Sequence, residues 1–434
     1  MEYLALVHLR ASQRRALLPL GAVVVLLGLA DSMTGSYLVL FATNQAGLVP
    51  LQLGLLSSAI ALGGIVTSAF LGRRFDRTPS RIFLIIVGVG GGIGYLLMPQ
   101  TSDFVILLIL GLTLVGIVGA GYPQAFALAA AVLPEDTRQR ATPVLRSGWS
   151  LAWAIGPMAG AGLLVAHGYA GLFRASAIAL LLTAAVVVII VPPPRNITPD
   201  SDRVNGTDSG TAVASRWMIV SITAGMVLVH CAMFAGSIAL PLLVTQDLGR
   251  PQTDVGLLFS ACAVVEIMAA LALVWLLPRT SLSLLILIGF ALFVAYFILT
   301  VLAGSTTVLL LAQLARGSAI AVVGTAGIQY FQSLGTIGAM TALFSNAGAA
   351  GSLISGILAG GLVQWLGTTG ALGCCALLSV AGGLLFCIGH RIRTAQAGQD
   401  APADPTDPPG RRSAQSFTPA VTGNACRSGT GIEH

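Results

Sequence analysis

Residues 255–277 read VGLLFSACAVVEIMAALALVWLL, an apolar run with a single acid, Glu266, near its middle. In helical conformation about 20 apolar residues match the hydrocarbon thickness of a bilayer. A lipid-facing carboxylate at that depth would cost about 2.5–3.5 kcal/mol on insertion scales, so Glu266 is expected to face protein or water. Similar runs recur through the chain, and their few internal charges are the first candidates for function.

Composition supports that reading. Of the 434 residues, 56% are hydrophobic and 9% charged, and mean hydropathy is +0.89. A soluble multidomain enzyme would need far more surface charge. The fold class expected is all-α, a polytopic membrane protein. A membrane β-barrel is excluded because its strands would alternate lumen and lipid faces instead of running continuously apolar. All 22 basic residues are arginine, and the net charge is +6. Most of them fall in short connections between runs, which points to a lipid bilayer partner and membrane topology, not to nucleic acid. Cys231, Cys262, Cys374, Cys375, Cys387 and Cys426 have neither metal-ligand spacing nor a disulfide pattern. Met1 to Arg14 reads as a basic, uncleaved start to the first span.

The runs predict twelve transmembrane helices in two six-helix bundles. The first bundle occupies residues 1–191, a Pro- and Asp-containing interhalf linker 192–215, the second bundle 216–389, and a Pro/Gly/Ser/Thr-rich disordered tail 390–434. Spans five and six are expected at 141–166 and 172–191, spans eleven and twelve at 337–366 and 371–388. Arginines cluster in the second-third, fourth-fifth and sixth-seventh connections, which places the linker, the tail and both termini in the cytoplasm. The working unit is expected to be a monomer.

Several motifs carry a family likeness. Gly72, Asp76, Arg77 and Arg81 fit the loop signature of the major facilitator superfamily, which the chain resembles. Pro79 and Ser80 replace a glycine and a basic residue of that signature. Gly156-Pro157 with Gly160 is similar to the Gly-Pro-x-x-Gly antiporter motif. A closer resemblance, to the sugar efflux transporter family within that superfamily, is carried by Gly121-Tyr122-Pro123-Gln124-Ala125-Phe126-Ala127-Leu128, Leu145-Arg146, Ser150 to Pro157, Tyr330-Phe331-Gln332 and Glu266. It covers roughly Leu17 to Ile388. The resemblance implies the major facilitator fold in the inner membrane and export of small sugars or glycosides by proton antiport with alternating access. A multidrug or other amphiphile/proton antiporter is the alternative on the same scaffold. A non-transporting receptor or assembly factor is the alternative of a different class.

The internal charges are then read one by one. Glu266 and Asp31 are the proton-coupling candidates, although an ionic crosslink for Glu266 and a substrate-accepting or helix-anchoring role for Asp31 stay open. Arg146 and Arg316 can pair with a carboxylate or donate to substrate hydroxyls, and the stem of Arg146 can instead snorkel to the interface. Sugar recognition would require amides, which both donate and accept, beside aromatic surface. Gln124, Gln313, Gln329 and Asn346 supply the first; Tyr122, Trp149, Trp153 and Tyr330 supply the second. Trp149 and Trp153 are four residues apart and share a helical face. Gln124 is favoured because Pro123 is expected to disrupt its span. His230 either titrates or bonds another helix. The chain has no lysine and hence no phosphate-binding G-x-x-x-x-G-K-[ST] loop. With no metal cluster, cofactor motif or nucleophile elbow, it reads as a non-enzyme.

Overall fold

With no water in the hydrocarbon layer, each apolar run must satisfy its backbone internally, and so it folds as a helix. The computed structural model describes residues 11–193 and 216–399, without the side chains of 11–16, 135–140 and 397–399. The expected linker from residue 194 and the expected tail from residue 400 lie outside the described residues.

Among the described residues ten helices are long and apolar enough to cross a membrane. They are α1 (Leu17–Gln45), α2 (Pro50–Arg77), α3 (Ile82–Gln100), α4 (Phe104–Val132), α5 (Ala141–Ile189), α6 (Arg216–Asp247), α7 (Gln252–Arg279), α8 (Leu282–Val301), α9 (Thr306–Gln332) and α10 (Ile337–Gln396). The expectation of twelve in two six-helix bundles is therefore corrected. The difference sits at two glycines. Spans five and six run on as one element, two helices joined across a kink at the non-helical Gly168 (φ 64°, ψ −171°). Spans eleven and twelve do the same around Gly367 (φ 71°, ψ 177°). Left-handed φ is open to glycine at little cost, so the axis turns at one residue within each of the gaps expected at 167–171 and 367–370. The turn in α5 is sharp enough that a Cβ at Gly160 would lie 3.5 Å from Leu172 Cδ1.

The far end of α10 corrects a second boundary. Helix continues through His390 to Gln399, where a disordered tail was expected. Tyr330 OH and His390 Nδ1 are 3.0 Å apart, and the Arg393 guanidinium lies 5.0 Å over the Tyr330 ring. These contacts fasten the extension to α9.

Small residues set the helix contacts that shape the interior. Gly156 lets α5 approach α1 so closely that a Cβ there would overlap Ser32 Oγ. Ser32 Oγ donates to Ala152 O at 3.1 Å, and Tyr37 OH donates to Pro157 O at 3.1 Å. Gly256 of α7 packs against the same Tyr37–Pro157 junction. On the other flank Gly54 of α2 meets Gly356 and Gly360 of α10. In α4 the irregular stretch is Gly111–Val115 (π) followed by Gly116–Ala120 (3₁₀). It precedes Pro123, which sits in the first turn of the α-helix Gly121–Val132, where a missing N–H costs little. The expected disruption of this span is therefore present, and Gly63 of α2 packs on the Leu112 carbonyl and on Gly116 within it.

Candidate functional site

Seven of the ten helices, α1, α2, α5, α6, α7, α9 and α10, enclose a cavity of about 600 Å³. Four expected residues line it: Glu266 from α7, Arg316 from α9, and Trp149 and Trp153 from α5. Around them stand six serine side chains, Ser36, Ser57, Ser150, Ser237, Ser352 and Ser355. The lining thus combines one anion, one cation, neutral hydroxyls and two indoles.

The charged pair is brought together by Gly317. A Cβ at that position would lie 2.5 Å from Cys262 O and 3.0 Å from Glu266 N, so only glycine allows α9 to sit this close to α7. Arg316 is 4% exposed. One nitrogen, Nη2, donates to Ser237 Oγ at 2.6 Å. The guanidinium carbon lies 5.0 Å from the Phe259 ring centre and 5.5 Å from that of Tyr296, within cation–π range. Its Nε and Nη1 have no hydrogen-bond partner among the described residues. Glu266 stands in the field of Arg316 and, more weakly, of Arg146, yet makes no direct ion pair with either. An unpaired fork of buried N–H groups beside an unpaired carboxylate can donate to and accept from one polar ligand.

The aromatic wall is also fixed. Trp149 meets Tyr122 edge-on at 4.8 Å, and Tyr122 packs on Phe126 at 4.5 Å. Tyr122 therefore supports the wall from behind and does not line the cavity. Arg146 is exposed one turn from Ser150 and acts on Glu266 and Tyr122 through its charge alone.

The remaining candidates lie elsewhere. Asp31 sits beside Tyr95 of α3, and no cation among the described residues acts on it. Gln124 is buried with its Oε1 unpartnered among the described residues, and Gln313 spends its amide nitrogen on its own helix at Leu309 O, 3.3 Å away. Gln329 and Asn346 are exposed. His230 bonds Met226 O through Nδ1 at 2.8 Å and packs against Phe344, a spacer between α6 and α10. Tyr330 belongs to the fastening of the α10 extension. In the loop motif Gly72 is half-buried and Asp76 and Arg77 are exposed at the end of α2, while Arg81 donates to Val188 O and Val191 O, both at 3.1 Å, and caps the end of α5. Gly156, Pro157 and Gly160 shape the α1–α5 contact. Ser237 and Gly317 escaped the sequence reading, because serine and glycine recur throughout the spans.

Residues 20–335 match the Major Facilitator Superfamily. The chain belongs to this superfamily. It is a multi-pass membrane protein and a secondary transporter of small molecules, not an enzyme. A Deinococcus radiodurans protein provisionally named a sugar efflux transporter is 34% identical over 368 residues, spanning 82% of this chain and 94% of that one. Sugar efflux transporter A of Escherichia coli is 26% identical over 367 residues, 82% of this chain and 92% of that one. Among solved structures, a mutant form of the nucleoside transporter NupG superposes with a TM-score of 0.73 at 13% identity, covering 87% of this chain and 99% of that one. The last likeness is one of fold.

Proposed function

We propose that this transporter exports small sugars or glycosides by proton antiport, with Glu266 as the proton carrier. The observation that carries the reading is that Arg316 and Glu266 share one cavity without pairing, flanked by serine hydroxyls and the Trp149–Trp153 wall. A sugar offers hydroxyls that accept from Arg316 and donate to an ionised Glu266, and an apolar ring face that lies on an indole. Protonation of Glu266 replaces that ionised acceptor by a weaker, neutral one, so the hydroxyl is held less tightly. Substrate and proton then compete, which is the linkage an antiporter requires. The likeness to sugar efflux transporters supports the same substrate class and direction. In this reading the protein works as a monomer in the plasma membrane with both termini cytoplasmic.

Counterflow in proteoliposomes tests the proposal. A panel of monosaccharides, disaccharides and glycosides is compared with lipophilic cations, with and without an imposed pH gradient. Sugar counterflow and substrate-driven proton movement are expected; flux of the lipophilic cations alone overturns the sugar reading in favour of an amphiphile antiporter.

A further inference from the structure

The hydroxyl of Ser237 has two bonds of opposite sense. It donates its only proton to Met233 O, 2.9 Å away on the preceding turn of α6. Its lone pairs are thereby directed outward, and one accepts from Arg316 Nη2 at 2.6 Å. A buried guanidinium beside a carboxylate would ordinarily close on it, because an ion pair in a poorly screened site outweighs a neutral hydrogen bond. Here Arg316 does not close on Glu266. Its Nη2 is tied to α6, and its face is held between Phe259 and Tyr296.

We propose that Ser237 is a positioning residue that holds Arg316 off Glu266 and so keeps the Nε and Nη1 donors free for a ligand. Nη2 carries two hydrogens, and Ser237 takes one. The other completes a two-donor edge with either Nε–H or Nη1–H, so a bidentate edge whose Nε or Nη1 member is buried and has no partner among the described residues remains whichever hydrogen is used. The groups facing Glu266 are Arg316 on α9, Arg146 on α5 and Cys262 on its own helix. Those facing Arg316 are Tyr296 of α8, Cys262 and Glu266. Of the two guanidiniums acting on Glu266, Arg316 acts the more strongly, and Ser237 is its side-chain hydrogen-bond tether.

Loss of the tether therefore has two consequences. Arg316 closes on Glu266 and its donors are consumed, and Glu266 gives up its proton more readily. Neither consequence rests on the exporter reading; only the loss of sugar affinity expected from them does. The test is a substrate-free infrared titration of the Glu266 carboxyl in the purified, full-length protein, with Glu266→Gln assigning the band. Ser237→Ala is expected to move the midpoint toward acid by about one pH unit or more, the effect of a cation newly within contact. Ser237→Thr, which keeps the hydroxyl, is expected to titrate as the unsubstituted protein does. Sugar affinity should fall in Ser237→Ala and recover in Ser237→Thr. An unmoved midpoint in Ser237→Ala overturns the proposal, even if sugar affinity falls, because that pattern marks Ser237 as a ligand contact only. A threonine variant that titrates like the alanine one overturns it as well. Ser237→Cys, similar in volume and a poor acceptor, is read in the same way should Ser237→Ala fail to fold. If no sugar is transported by any form, the substrate-free titration still decides the positioning role.

Discussion

Gly54→Ala should drive α2 and α10 apart. A Cβ at Gly54 would lie 2.9 Å from Gly360 Cα and would overlap the Gly356 carbonyl oxygen. These are backbone atoms, which cannot rotate aside. Carbon–carbon contact is comfortable at about 3.5–4.0 Å, so the helices must separate by more than half an ångström. Overpacking of this kind costs about 1–3 kcal/mol. A secondary transporter alternates between access states, and the penalty falls only on the state in which these helices touch. The ratio of touching to separated forms should therefore fall by about 5–150-fold. Gly361→Ala is the built-in control: it neighbours Gly360 on the same helix, yet nothing lies within 4 Å of a Cβ there. The assay is electron–electron distance measurement between spin labels at Val49, immediately before α2, and Trp365 of α10, both exposed. A longer population is expected in Gly54→Ala and not in Gly361→Ala. An unchanged distance distribution in folded Gly54→Ala, or the same change in both variants, refutes the argument.

Three further outcomes follow from the same contacts. Glu266→Gln should abolish proton-driven accumulation more severely than passive exchange, measured in the counterflow vesicles; wild-type pH coupling would remove its carrier role. Ser58 Oγ donates to Leu353 O at 2.7 Å and accepts from Ile357 N at 3.0 Å, so Ser58→Ala should weaken the α2–α10 contact by about 1–2 kcal/mol. The same label pair reads this, and an unshifted distribution would show the two bonds to be without net effect. Asp31→Asn should retain pH coupling, since Asp31 lies off the cavity beside Tyr95; a loss matching that of Glu266→Gln would place the proton path elsewhere.

Much of this was legible because a bilayer makes polar residues conspicuous. Glu266 and Arg316 stand out in apolar runs, and both line the cavity. The Trp149–Trp153 spacing put two indoles on one helical face, and both line it too. Amides misled for a physical reason: Gln313 satisfies its nitrogen on its own helix, so a buried amide need not face a ligand. Helix count failed at breaks whose places were legible: the gaps expected at 167–171 and 367–370 hold Gly168 and Gly367, but each is a turn at a single left-handed residue, across which the helical element runs on. Pro123 predicts a break in its span, and the π and 3₁₀ turns of α4 end just before it.

The arrangement also explains why charge and aromatic surface come from different helices. Gly317 fixes α9 on α7, so the helices that carry Arg316 and Glu266 stay in close contact. Trp149 and Trp153 ride on α5, which meets α7 at the Tyr37–Pro157–Gly256 junction. A ligand lying on the indoles while bonding the charges spans that junction, and its fit depends on how α5 and α7 are juxtaposed. Binding energy can bias the access equilibrium only through such a difference between states. Had the indoles and the charges shared one helix pair, the ligand would have bound both states alike and moved neither.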